Sequence, residues 1–225
     1  RSTLFPYTTL FRSTNRGDAI VTWHGTVLER FPLAEIPITA GGAIGFQVEN
    51  AMAAVAAAWA LGIDPATIRQ GLARFVNDAD SAPGRFNLFN YRGATIIADY
   101  GHNPDAIQAL VDAVGNMPAP PESRRTVVIS GAGDRRDEDI RKQTEILGDA
   151  FDRVVLYQDA CQRGRADGEV LALLRDGLKN ARRTREIEEI HGEFLAIDTA
   201  LDKLQPGDVC PVGRSEERRV GKECR

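Results

Sequence analysis

Cysteine is scarce in this chain: three among 225 residues, with no CxxC and no histidine pair close by. That excludes a disulfide framework and a zinc site, and it leaves Cys161 and Cys210 reading as ordinary residues of a reducing cytoplasm. Histidine is as rare, and no Ser–His–Asp arrangement can be assembled from three of them. There is no GxxxxGK[ST] phosphate loop and no GxGxxG dinucleotide fingerprint. The longest apolar run, the alanine-rich stretch from Ala51 to Gly62, is too short to cross a bilayer. Internal repeats, heptads and low-complexity tracts are missing as well.

The two ends stand apart from the rest. Thr3 to Ser13 read TLFPYTTLFRS and Arg214 to Cys224 read RSEERRVGKEC. One legal set of codons for the second has a reverse complement that translates as the first, and the stretch resembles a translated sequencing adapter. Residues 1–13 and 214–225 are therefore read as foreign to the protein and expected to be disordered. Without their seven basic and three acidic residues, 21 basic and 29 acidic remain, a net charge of −8. An acidic segment without a basic stripe excludes a nucleic-acid groove. About 200 residues suffice for one large domain, or for one domain and a piece of another.

Residues 19–38 are rich in β-branched and aromatic types and predict strands, AIVTW and TVLERF, with a tight turn at His24-Gly25. Phe46 to Leu61 predicts a helix buried on most sides, closed by Gly62 at C′. Asp64-Pro65 opens a second helix through Arg74. Ala79 to Arg85 reads as a linker. Beyond it, short apolar runs at 94–99, 125–130, 153–157, 185–190 and 208–212 alternate with helical spacing at 104–114, 137–151, 167–179 and 193–203. Such alternation predicts an α/β fold with a mostly parallel, Rossmann-like sheet.

Three predicted strands run straight into polar, glycine-containing loops: DYGHNP (99–104), GAGDRR (131–136) and DACQRGR (159–165). Ligands of open α/β sheets bind at these strand ends. Each loop also has a plainer reading. Asp99 and Asn103 suit a cap for the helix opening at Pro104, GAGDRR suits a charged turn, RGR suits surface charge, and His102 suits a structural hydrogen bond.

In their order and spacing, Phe46-Gln47-x-x-Asn50-Ala, Pro83-Gly84-Arg85, DYGHNP and GxGDRR resemble the Mur ligase superfamily over nearly all of residues 16–212. IPIT-x-GG, PGRFNLF and GDRRDEDI place the resemblance in its cyanophycin synthetase branch. The resemblance implies that residues 14–79 end a central ATPase domain and that 80–213 form the Rossmann-like carboxy-terminal domain, the phosphate loop lying upstream. It implies an ATP- and Mg²⁺-dependent ligase that adds L-arginine to the β-carboxylate of a poly-aspartate chain through an acyl phosphate. Gln47 and Asn50 match positions that contact adenine; Gln47 stands where the family usually has Asn. Arg85 matches an arginine that reaches the nucleotide phosphates, and Asp99 an acid at the ribose. His102 and Asn103 match the catalytic loop, and Asp134 and Arg135 a loop that holds the amino acid. The acidic run Asp134, Asp137, Glu138 and Asp139 is chemically suited to an incoming guanidinium. Partners are then small-molecule and peptide substrates within a homo-oligomer, with no nucleic acid and no membrane. Another Mur-type ligase, for peptidoglycan or folylpolyglutamate, and a non-catalytic nucleotide-binding module stand as alternatives.

Overall fold

The computed structural model describes residues 11–13, 17–23, 26–158 and 163–213. The predicted His24-Gly25 turn, Cys161 and most of both ends lie outside the described residues. The chain divides into two compact units, with the break between Val76 and Asn77; Gly115–Met117 group with the first.

In the first unit, β1 (Phe11–Ser13), β2 (Asp18–Trp23) and β3 (Thr26–Pro32) form an antiparallel sheet. Phe11–Ser13 belong to the stretch expected to be disordered, yet their backbone pairs with β2. An exposed strand edge accepts any extended chain through main-chain bonds alone. The strand signal also overreached at its other end. Residues 33–42 form two 3-10 turns. There Thr39 Oγ1 donates to Leu33 O and Ile36 O at 2.9 and 2.8 Å, and Ala40 sits at φ +47°.

Two helices follow, α1 (Gly45–Ala60) and α2 (Pro65–Arg74). Gly62 takes the C′ position at φ +77°. Asp64 caps α2, accepting from Thr67 N at 3.0 Å. α1 is not buried on most sides: Gln47, Val48, Ala51 and Val55 form one narrow stripe. Alanine is common here because it is the best helix former, and that property does not require burial. The stripe meets Val21, Phe31, Leu33, Ile36 and Ile68 in a small core.

The second unit is a six-stranded sheet in the order β4 (Arg85–Tyr91), β5 (Ala94–Asp99), β9 (Val209–Gly213), β6 (Thr126–Ile129), β7 (Arg153–Gln158), β8 (Glu186–His191). Only β4 runs antiparallel. The helices α3 (Pro104–Asn116), α4 (Asp137–Gly148), α5 (Glu169–Gly177) and α6 (Glu193–Leu201) connect the parallel strands. All six residues of β7 are buried, the mark of a strand covered on both faces. On one of them Val155 and Tyr157 join Ala196 and Ala200 of α6.

β4 is absent from the sequence reading, where Ala79–Arg85 was a linker and no strand followed before residue 94. It is joined to β5 by a two-residue turn, Arg92 at φ +52° and Gly93 at φ +84°. Two positive φ values make the type I′ turn that matches strand twist. Arginine at the first position hides that signal.

Candidate functional site

The carboxyl ends of β5, β6 and β7 lie along one edge of the second unit, as parallel neighbours must, and the start of antiparallel β4 joins them. Asp99 closes β5. Its Oδ1 accepts from Gly101 N at 2.6 Å, an Asx turn that bends the next loop. Burial, the largest influence, raises the Asp99 carboxyl above its ordinary pKa, against the Gly101 and Phe86 N–H groups and the charge of Arg85.

Arg85 sits opposite Asp99 in the β4–β5 register. Gly84, at φ +71°, faces the Tyr100 ring so closely that a Cβ would lie 1.8 Å from it. Only glycine fits there. Asn77 and Asn87 hold this turn from within the same unit. Asn87 Oδ1 accepts from Gly84 N at 2.6 Å, and Asn77 Nδ2 donates to Arg85 O at 2.5 Å. The stretch read as a linker is therefore a bonded turn.

His102 Nδ1 lies 2.9 Å from Tyr100 O, and its Nε2 lies 2.6 Å from Arg135 Nη2. A carbonyl cannot donate and a guanidinium cannot accept, so the ring is neutral, with the proton on Nδ1 and Nε2 accepting from Arg135. His102 thereby orients Arg135, and its Nε2 lone pair is already engaged. Its backbone carbonyl accepts from Nε2 of the buried Gln143 on α4 at 3.2 Å. Asn103 does what its plainer reading proposes: its Oδ1 caps α3 by accepting from Ala106 N at 2.9 Å. Asp99 does not cap that helix.

The acidic run behaves differently from its sequence expectation. Asp134 pairs with Arg163 at 2.9 Å and Asp137 with Arg165 at 2.8 Å. Glu138 and Asp139 both pair with Arg136, at 2.5 and 2.9 Å. Asp134 is pushed up by burial but held below its ordinary pKa overall by the Arg163 hydrogen bond and charge. All four acids thus hold guanidinium groups of this chain. By contrast, Arg85 and Arg135 have no carboxylate within ion-pair distance among the described residues. Two exposed cations without carboxylate partners among the described residues, at the carboxyl edge of the sheet, suit an anionic ligand.

Gln47 and Asn50 belong to the first unit. Asn50 Nδ2 donates to Gln47 Oε1 at 3.1 Å across one turn of α1. That bond leaves Gln47 Nε2 as a donor and Asn50 Oδ1 as an acceptor. Among the described residues no group of three His, Cys, Asp or Glu side chains is placed to hold a metal ion. No helix of the described residues is long and apolar enough to cross a membrane.

Comparison with known proteins adds the following. Residues 84–212 match the family described as Mur ligase, glutamate ligase domain. The cyanophycin synthetase of Crocosphaera subtropica is 39% identical over 177 residues, covering 79% of this chain and 20% of that protein. The Synechocystis cyanophycin synthetase is 38% identical over 170 residues, covering 76% and 19%. The UDP-N-acetylmuramoyl-L-alanyl-D-glutamate–2,6-diaminopimelate ligase of Bradyrhizobium diazoefficiens is 32% identical over 183 residues, covering 79% and 35%. The chain thus spans about a fifth of the length of the cyanophycin synthetases it matches. Among solved structures, E. coli FolC in complex with DHPP and ADP superimposes with a TM-score of 0.64 at 24% identity, covering 89% of this chain and 42% of that one. Thermotoga maritima MurC gives 0.62 at 19%, covering 91% and 41%. At those identities the likeness is one of fold.

Proposed function

Because this chain belongs to the Mur ligase family through residues 84–212, we propose that it is the carboxy-terminal part of an ATP-dependent ligase of the cyanophycin synthetase kind. The proposed reaction joins L-arginine to the β-carboxylate of a poly-aspartate chain. The γ-phosphoryl group of ATP passes to that carboxylate, and ADP leaves. The amine of arginine attacks the acyl phosphate, losing a proton, and phosphate departs. The observation that carries this reading is the strand-end edge itself, which bears Arg85 opposite Asp99 and the His102–Arg135 pair.

The residues divide the work as follows. The Asn50–Gln47 amide pair presents one donor and one acceptor, the complement of an adenine edge. Asp99 accepts from a ribose hydroxyl, and Arg85 neutralises nucleotide phosphate. Arg135, oriented by His102, takes an anionic group of the amino acid or of the acyl phosphate. Asn103 supports the loop through its cap rather than touching the reacting atoms. Mg²⁺, which the family implies, would neutralise the transferring phosphoryl group. A cytoplasmic location and a homo-oligomer are part of the same proposal, taken from the family resemblance.

Arginine as the added amino acid rests on the likeness to cyanophycin synthetases and not on the acidic run, whose members are engaged. A second reading has its own support: Arg135, one of two exposed cations without a carboxylate partner among the described residues, suits an amino acid with an extra carboxylate, and a diaminopimelate ligase matches at 32%. The test uses the protein extended by its upstream reading frame. Arginine, lysine, glutamate and diaminopimelate are offered separately, with a poly-aspartate primer or a muramoyl peptide, while phosphate release and product mass are followed. Arginine-dependent phosphate release with arginine-sized mass steps on the primer is the expected result. Incorporation of diaminopimelate on the muramoyl peptide moves the protein to the second reading. Turnover by the 225-residue chain alone would contradict both, since no phosphate loop occurs in it.

A further inference from the structure

Arg165 lies in the loop between β7 and α5, in an RGR stretch whose plainer reading was surface charge. Its side chain is only 15% exposed. Nε donates to Gly133 O at 2.7 Å, and Nη2 donates to Arg135 O at 2.7 Å. Nη1 pairs with Glu169 Oε1 at 2.6 Å, and Nη2 with Asp137 Oδ1 at 2.8 Å. One planar fork therefore grips two carbonyls of the loop after β6, while the acids at the starts of α4 and α5 hold the fork. A lysine ammonium cannot span this arrangement, because its donors diverge from a single atom.

The gripped loop contains Arg135, the cation that His102 orients. We propose that Arg165 is a positioning residue: by fixing the Gly133–Arg135 backbone it sets where the Arg135 guanidinium meets its anionic ligand. This rests on the ligase reading given above. The consequence is that the loop after β6 and the segment around Arg165 act as one piece. The Arg135–His102 bond joins that piece to the loop after β5, which Gln143 of α4 also holds through His102 O. A displacement of the clamp then reaches the imidazole without any direct contact between Arg165 and His102.

The test has two arms. In the first, the ring nitrogens of the three histidines are followed by ¹⁵N NMR in the chain labelled at histidine. The structure requires the Nδ1–H tautomer at His102, which is the minor one for a free imidazole. Arg165→Lys is expected to release Arg135 and to shift the His102 Nε2 resonance as that lone pair loses its donor, while the Tyr100 carbonyl still holds the proton on Nδ1. The double variant Asp137→Asn with Glu169→Gln, which frees the fork but keeps Arg165, is expected to do the same. Arg175→Gln, at an exposed pair with Glu189, is expected to leave the ring unchanged. In the second arm, the extended protein is assayed. Arg165→Lys is expected to raise the KM for the amino acid about tenfold or more while changing that for ATP less than about twofold. A structural role alone would lower the folded fraction, and with it kcat, without moving either KM. An unchanged ring spectrum overturns the clamp, and an unchanged amino-acid KM overturns its positioning role. If the unsubstituted extended protein ligates no amino acid, the ligase reading fails, and the ring spectrum still decides the clamp.

Discussion

Asp99 carries a cost that its position explains. Burial raises its carboxyl above the ordinary value, so its folded pKa exceeds its unfolded one. The protonated form is then the one that favours folding. That contribution is present below the unfolded carboxylate pKa and is lost as pH rises through the folded value. At neutral pH an ionised Asp99 therefore destabilises the unit. Asp99→Asn keeps an Oδ1 for the Gly101 N–H and is expected to raise Tm slightly at pH 7, with the difference vanishing near pH 3. The same change should weaken nucleotide binding by the extended protein roughly 10- to 100-fold, the range for a charge-assisted hydrogen bond of about 1.5–3 kcal/mol. Thermal melts across pH and calorimetric titration with ATP check both halves. A lowered Tm with unchanged affinity would make Asp99 a structural residue. Asp152 has the opposite sign: burial pushes it up, but the Arg183 hydrogen bond and charge hold it below its ordinary pKa. Its stabilising contribution is present at neutral pH and lost as pH falls through its folded value.

Among the elements, α3 shows how a site residue and a folding residue coincide. Asn103 sits in the loop that also holds Asp99 and His102, and its Oδ1 caps the helix. Removing that cap by Asn103→Ala is expected to cost about 0.5–2 kcal/mol in chemical denaturation. Asn103→Asp, which retains the accepting oxygen, should recover most of it. If the assigned role is right, the Asp variant also recovers turnover in the extended protein. Restored stability with activity still lost would instead assign the amide N–H₂ a direct part in the reaction. β4 makes a related point about strands. Its hairpin with β5 places Arg85 beside Asp99, and the exposed Leu88 and Phe89 on it lack the alternation that signals a strand.

The parallel sheet of the second unit has two unlike edges. At its amino edge, charges are matched. Buried Arg153 pairs with Glu188 at 2.6 Å and with Glu186, and Lys203 joins both acids. At its carboxyl edge, Arg85 and Arg135 stand without carboxylates among the described residues. A structural network satisfies its own charges, whereas a binding edge leaves some for its ligand. The unit should also fold by itself if cut where its bonds begin. A chain of residues 77–213 is expected to melt in one cooperative transition. A chain beginning at Gly84 loses the Asn77 bonds to Arg85 O and Asn87 Nδ2 and is expected to be less stable by roughly 1–3 kcal/mol. Equal stability of the two would remove Asn77 from the unit.

The alternation of apolar runs and helical spacing was enough to place five parallel strands and four helices of this unit within a few residues, because periodicity and caps are local properties of the chain. The loops at the strand ends were legible for a similar reason: glycine, Asp and Asn mark a turn wherever they fall. What sequence could not decide was which charges meet. Arg163 and Arg165 follow Asp134 and Asp137 by nearly thirty residues, and only the adjacency of β6 and β7 brings them together. That adjacency paired Asp134 and Asp137 with Arg163 and Arg165, made Arg165 a clamp, and left Arg135 without a carboxylate among the described residues. Charge sign is written in the chain, but pairing depends on distance, and distance is set by the sheet order.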